Sequence, residues 1–504
     1  MRDIFDGLFV APRLRVERTS SIANETLPQA DESLALLPPD LHPGTARAAE
    51  ERRDTTFTEN FFDLMYVLPM QNLFSLSPGR SLHSMLMFVL YFATIFNSWL
   101  GEAFYNTRFD TDDVPARAVT VLQMVCIAGM ASGINERAQF NGDSTFALSY
   151  ALLRALLVLK YARVAWHLPK LRPLTLGFIT GFSIALGCWV ATAFVTPALQ
   201  LPVALLGLCI DYTTPFVLAL VPRFKMVPVH HQHMPERFAG FTCLVLAGSL
   251  FSVQMQMPPL GAVDGWAFPP IFVSMVSVAL PLAFLSLYAA GVGLPSAELA
   301  GFRLNQVGAK LRVYMYLYLH MPLTWAIMLS SNGLYNATGA AFTTTGSSQG
   351  ATMTQPRSLP PLDPGTRWLI CAGWALATAT MGLVHALGGA QDHNTGRTHR
   401  SVRRCGYGGV QATPEEIAAR ARTRTRRTKM RHLYLRLAAS VMLLVLPVLL
   451  RDAPLTAYIS CITAIHLIQV LVVTFRKRHF QAKAVRLQRR ASALISGNKD
   501  DSRS

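Results

Sequence analysis

The chain is poor in charge. Only 15% of its 504 residues are Asp, Glu, Lys or Arg, against about 25% in a typical soluble domain. Cysteine is scarce too: seven are scattered without a CxxC pair, and six of them lie in apolar stretches, which argues against a disulfide framework or a zinc ribbon. Nucleophile-elbow, P-loop and HExxH patterns are missing, so no ATP-driven pump or hydrolase of those types is indicated. Residues 1–56 hold no apolar run resembling a signal-peptide core. The apolar segments further on show no period-two alternation, which excludes barrel strands.

What is abundant is apolar length. Hydrophobic residues make up 51% of the chain, and the mean hydropathy is +0.31. Runs long enough to cross a bilayer as a helix recur near 57–76, 82–101, 114–134, 144–166, 174–195, 200–221, 238–256, 267–290, 311–331, 366–388, 432–451 and 454–474. The expected fold is therefore all-α, a polytopic transmembrane helical bundle of about 12 spans. The organisation reads as a polar N-terminal tail (1–56), a membrane core (57–388), a basic loop (389–431), two further spans (432–474) and a basic C-terminal tail (475–504).

Twelve spans put both termini on one side. That side collects 37 of the Lys and Arg, the opposite side 5, and 4 lie inside spans. The positive-inside rule then makes both termini cytosolic. The overall net charge of +17 is unevenly placed: residues 389–504 carry 22 basic and 6 acidic side chains, and the preceding 388 residues 24 and 23. Within the basic loop, Thr413-Pro414-Glu415-Glu416 reads as a capping box with proline at the first helical position, followed by an Arg-rich helix over Ile417–Arg431. Such a segment, like the C-terminal tail, suits either plain solvation or contact with anionic lipid headgroups. Aromatic residues are not interleaved with the charges, so nucleic acid is not an expected partner. The Asn336-Ala337-Thr338 sequon falls in an expected outer loop, 332–365, as a potential N-glycan acceptor.

Ionisable groups inside a bilayer are costly and mark candidate sites. Glu59 and Asp63 are four apart, on one helix face. Such a pair suits a proton or cation; alternatively both sit at the headgroup boundary and pair with an arginine from a neighbouring loop. Glu102 ends the second span. In the loop after it, Arg108, Asp110, Asp112, Asp113 and Arg117 read as ion pairs, with Asp112 or Asp113 capping the third helix ahead of Pro115; metal chelation is the other reading. Asp211 and Pro215 lie mid-span in the sixth, where a proline break often lines a cavity. His230-His231-Gln232-His233 precedes the seventh span; it reads as a structured loop with Glu236 at the helix start and Arg237 in an ion pair, zinc being the alternative. His320, beside Pro322 and near Tyr314 and Tyr318, is a candidate for a polar cavity. His385 and His466 read as structural histidines.

Taken together and in order, Glu59-x-Phe-Phe-Asp63-Leu, Arg108-Phe-Asp110-x-Asp112-Asp113 with Pro115 and Arg117, Asp211-Tyr212 with Pro215, His233-x-Pro235-Glu236-Arg237 and Tyr318-Leu-His320-x-Pro322 resemble the low temperature requirement A (LtrA) family of polytopic membrane proteins. The clear resemblance runs from about 57 to 331. It implies an architecture rather than an activity. The family pattern continues into the seventh helix with Leu-Gly-Glu, where this chain has Ala247-Gly248-Ser249.

The expectation from all of this is a non-enzymatic, cofactor-free transporter or channel-like protein with a polar path near Glu59, Asp63, Glu102, Asp211 and His320. The second expectation is a non-transporting scaffold or sensor of lipid state or stress, acting through 389–431 and 475–504.

Overall fold

A computed structural model gives the fold. It describes residues 57–76, 81–110, 113–134, 144–221, 233–257, 268–289, 306–346, 362–388 and 414–475, with a few isolated positions such as 13–14. Apart from residues 13–14, the N-terminal tail lies outside the described residues, as do 389–413 and 476–504. The helices are α1 (Phe57–Met65), α2 (Val67–Asn72), α3 (Leu82–Arg108), α4 (Val114–Ser132), α5 (Thr145–His167), α6 (Arg172–Thr192), α7 (Pro197–Leu220), α8 (His233–Met255), α9 (Phe268–Ala289), α10 (Val307–Tyr318), α11 (His320–Gly346), α12 (Pro364–Leu387), α13 (Pro414–Leu449) and α14 (Leu455–Phe475). Residues 13–14 pair antiparallel with Phe109–Asp110.

Ten of these helices are long and apolar enough to cross a membrane. The two other expected spans are interrupted, and both interruptions precede a proline by three residues. The first span breaks at Tyr66, between α1 and α2 and ahead of Pro69; the ninth breaks at Leu319, between α10 and α11 and ahead of Pro322. A proline cannot donate to the preceding turn and crowds the carbonyl there, so the break falls one turn upstream. Pro215 behaves differently from expectation: α7 runs unbroken through both Pro202 and Pro215. There the Thr213 and Thr214 hydroxyls donate back to the carbonyls of Cys209 and Ile210 at 2.8 and 2.7 Å, so both hydroxyls are satisfied within the helix.

α3 is the centre of the bundle. It touches α2, α5, α7, α8 and α11, and from Leu90 to Phe109 almost every side chain is buried. Ser81 caps its start, accepting from the Ser84 amide at 3.0 Å. Around it, sequence neighbours pack as antiparallel pairs, α4 on α5, α5 on α6, α6 on α7, and α11 on α12. Their outer faces expose Val121, Leu122, Val125, Leu152 and Leu159, with Trp166 and Phe194 near helix ends. That is the pattern lipid requires, with aromatics toward the interfaces.

Two expectations change. The expected outer loop begins later than 332, because α11 continues to Gly346. The Asn336 amide donates to Asn332 Oδ1 at 3.0 Å, and Thr338 is fully buried with its hydroxyl on the Leu334 carbonyl. The sequon is thus part of a packed helix rather than an open loop. The basic segment and the eleventh span are also not separate elements: α13 is one 36-residue helix.

Candidate functional site: an ionic core around α3

The Glu59–Asp63 pair sits against the first turn of α8. Arg237 Nη2 donates to Asp63 Oδ1 at 2.6 Å, and Trp99 Nε1 of α3 donates to the same oxygen at 2.8 Å. Arg237 Nη1 lies 3.6 Å from Glu59 Oε1, and His233 Nε2 lies 3.3 Å from Glu59 Oε2. All four side chains are buried. The helical spacing of Glu59 and Asp63, and of His233 and Arg237, brings two carboxylates to one guanidinium and one imidazole. The expected arginine partner is there, but it comes from a helix start rather than a loop. Glu236, between the two α8 residues, is exposed in the first helical turn.

α5 supplies three cations to three acids on three other helices. Arg154 Nε is 3.2 Å from Asp211 Oδ2 on α7. The Tyr150 hydroxyl donates to the same oxygen at 2.6 Å and accepts from Arg154 Nε at 2.7 Å, while Arg154 Nη2 donates to the Asn97 carbonyl at 3.1 Å. Lys160 forms a close ion pair with Glu102 of α3, and Gln123 of α4 closes the ring, donating to Glu102 at 2.9 Å and accepting from Lys160 at 3.0 Å. Arg163 bonds both oxygens of Asp113, whose Oδ1 also caps α4 at the Ala116 amide, 3.0 Å away. The cap falls on Asp113 as expected. Gly101 makes the first of these pairs possible: a Cβ there would stand 2.6 Å from Arg154 Nη1.

Asp211 and Glu102 are therefore each matched by a cation, and the structure does not bring them to the Glu59–Asp63 cluster. Arg108 departs from the expected aspartate pairing among residues 110–113. Its Nη2 donates to the Tyr314 hydroxyl at 2.8 Å, and its guanidinium stands over the rings of Phe104 and Phe178. Asp112, the side chain of Asp110, His230 and His231 lie outside the described residues. His320 is buried at the α10–α11 break, its Nδ1 3.0 Å from the Tyr316 carbonyl and its ring stacked on Phe238 at 4.1 Å. Phe238 in turn packs on Trp99 at 5.1 Å, so His320 reaches the Asp63 cluster through two aromatic rings. His385 meets the Tyr288 carbonyl and Arg436, and His466 meets Thr378 and the Ile462 carbonyl; both are hydrogen-bonded structural residues.

The partners that sequence reasoning left unassigned are Tyr150, Arg154, Lys160 and Arg163 on α5, with Trp99 and Gln123. The readable signal was three cations inside one span. Each had to meet an acid, because an unpaired charge in a dry interior is costly.

A bundle of ten bilayer-length helices, lipid-like on its outer faces and ionic at its centre, defines a multi-pass integral membrane protein. The family model described as bacterial low temperature requirement A protein (LtrA) matches residues 54–474, and the chain belongs to that family. The match carries the relationship through α12, α13 and α14, beyond the stretch where motifs are legible. No curated protein and no solved structure matches the chain. At the family's Leu-Gly-Glu position, Ser249 is buried; it donates to the Val245 carbonyl at 2.8 Å and accepts from the Ser331 hydroxyl at 2.6 Å. A neutral hydroxyl pair thus stands where the family pattern has a carboxylate.

Proposed function

We propose that the protein is a transporter or channel-like protein whose coupling site for a proton or small cation is the Glu59–Asp63–Arg237–His233 cluster. One observation carries the reading: two buried carboxylates share one guanidinium. Two carboxylates this close in low dielectric disfavour each other's charge, which suits the pair to take up and release a proton or monovalent cation. His233 against Glu59 is a natural relay, since histidine is the side chain that exchanges protons near neutral pH. Glu102 and Asp211, each tied to its own cation, hold the helices around the site rather than carry the ion. The α1–α2 and α10–α11 breaks flank this region and supply the helix ends that transport sites in membranes commonly use.

The test is reconstitution of the purified protein in liposomes with a screen of proton, cation and small-solute flux. Glu59→Gln and Asp63→Asn should each abolish coupling while thermal stability shows the fold is kept. If Asp63→Asn matches wild type for every flux seen, the site assignment fails.

A second reading is favoured by a different observation. Glu102, Asp113 and Asp211 are all buried and ion-paired, as befits a rigid scaffold. The basic part of α13 and the C-terminal tail would then bind anionic headgroups and report on lipid state. It predicts no flux, and salt-sensitive binding of a 389–431 peptide to anionic vesicles.

A further inference from the structure

Arg108 closes α3 with a charge that no carboxylate answers among the described residues. Arg154, Lys160, Arg163 and Arg237 each meet an acid. Arg108 is 2% exposed; its Nη2 donates to the Tyr314 hydroxyl, the Tyr161 hydroxyl is a second neutral partner, and Nε and Nη1 have no acceptor among the described residues. Phe104 and Phe178 rings lie 5.1 and 5.6 Å from its Cζ. They offer their negative faces but do not cancel the charge. One helical turn before Tyr314, on the same face of α10, Lys310 is fully buried and donates to the Ala219 carbonyl at the end of α7, 2.9 Å away. It too has no carboxylate partner among the described residues. Lys310 and Tyr314 thus share one face of α10, one turn apart, and Tyr314 carries Arg108 where α3 ends. Arg436, the comparable cation elsewhere, differs: the carbonyls of Leu287 and Met381 and the His385 ring take up its nitrogens.

We propose that Arg108, Lys310 and Tyr314 form a binding site for a phosphate-type anion. An unanswered guanidinium, an ammonium and a hydroxyl donor are the set that recognises a phosphate oxyanion, and the bound anion offsets the cost of burying two positive charges. By the charge asymmetry of the loops, this end of the bundle faces the side where both free phosphate and lipid phosphates are within reach. The same chemistry serves either source. This inference does not rest on the transport reading, because it is read out by binding.

The test uses the full-length protein purified in a phosphate-free maltoside detergent at fixed ionic strength. Its thermal unfolding is followed against inorganic phosphate in one arm and short-chain phosphatidic acid in the other. A ligand that binds only the folded state raises the midpoint in a saturable way. The wild type is expected to shift in at least one arm: inorganic phosphate alone marks a free anion, phosphatidic acid alone a lipid headgroup. Arg108→Gln and Lys310→Gln should each lose at least about tenfold in affinity, the loss of one charge-assisted contact. Should Arg108→Gln fail to fold, Tyr314→Phe, which removes only a hydroxyl, should weaken binding in the same arm. No shift in either arm overturns the proposal, as an aspartate of 110–112 serving as counter-ion would produce. An Arg108→Gln response equal to wild type overturns it too.

Discussion

Replacing Asp211 by Asn keeps volume and hydrogen-bonding capacity and removes one charge. Arg154 would remain in the bundle with the Tyr150 hydroxyl and the Asn97 carbonyl as its acceptors, both neutral. Breaking one side of a buried pair costs about 3–5 kcal/mol, so Asp211→Asn should destabilise by about that amount, and Arg154→Met similarly. Removing both charges together, as Arg154→Met with Asp211→Leu, removes the uncompensated charge. What remains is the Tyr150 hydroxyl, which loses its anionic acceptor but keeps the Asn97 amide at 3.2 Å; one such buried polar group costs about 1–3 kcal/mol. The double variant should therefore be more stable than either single one, with a coupling energy of about 3 kcal/mol or more. Reversible unfolding in mixed detergent–SDS micelles measures all four corners of the cycle. Destabilisation of the double variant by the full sum of the singles would refute the claim that these two charges answer one another.

Four shorter predictions follow from the same contacts. Gly101→Ala should cost about 1–3 kcal/mol by overpacking, and the cost should shrink in an Arg154→Met background, because the Cβ meets Arg154 Nη1 at 2.6 Å; unfolding of both pairs tests it. Gly373→Val should disrupt the α11–α12 contact more severely, since a Cβ there stands 2.6 to 2.8 Å from the Ser330 Cβ and backbone; loss of folded protein on size-exclusion chromatography is the readout. Asn332→Ala should loosen the α2–α3 connection by about 1–3 kcal/mol, because its amide donates to the Leu76 carbonyl at 2.8 Å and faces those of Leu73 and Phe74; faster amide exchange over 73–76 would show it. The Asn336 sequon should stay unmodified in a glycosylating host, and a mobility shift on glycosidase treatment would contradict the packed α11.

Much of this fold is written in local composition. Runs of about 20 apolar residues specify the spans because length and hydropathy act residue by residue. Asp113 as a helix cap is equally local, set by the aspartate and by Pro115 two positions later. The breaks at Tyr66 and Leu319 were marked by Pro69 and Pro322. Pro215 carried the same mark without the same outcome, since α7 runs straight through it. Long-range pairing was less legible. Nothing near Arg154 in sequence points to Asp211, 57 residues away, and nothing near Arg237 points to Asp63, 174 residues away. Helix rotation decides those pairs, and rotation depends on packing over the whole bundle. Arg108 shows the limit most clearly: three aspartates, Asp110, Asp112 and Asp113, stand within five residues of it, yet its guanidinium turns inward to Tyr314.

The 36-residue α13 has a mechanical consequence. At 1.5 Å per residue it is about 54 Å long, against about 30 Å of bilayer hydrocarbon. Its apolar part begins near Met430, so roughly 24 Å of basic helix stands outside the membrane as a direct continuation of the span. No hinge separates the two. A tilt or vertical displacement imposed on the basic arm is delivered to Arg436 as on a stiff lever, and there it acts on the carbonyls of Leu287 and Met381 at the ends of α9 and α12. The arm is a rigid handle on the far wall of the bundle, with its fulcrum at the membrane surface.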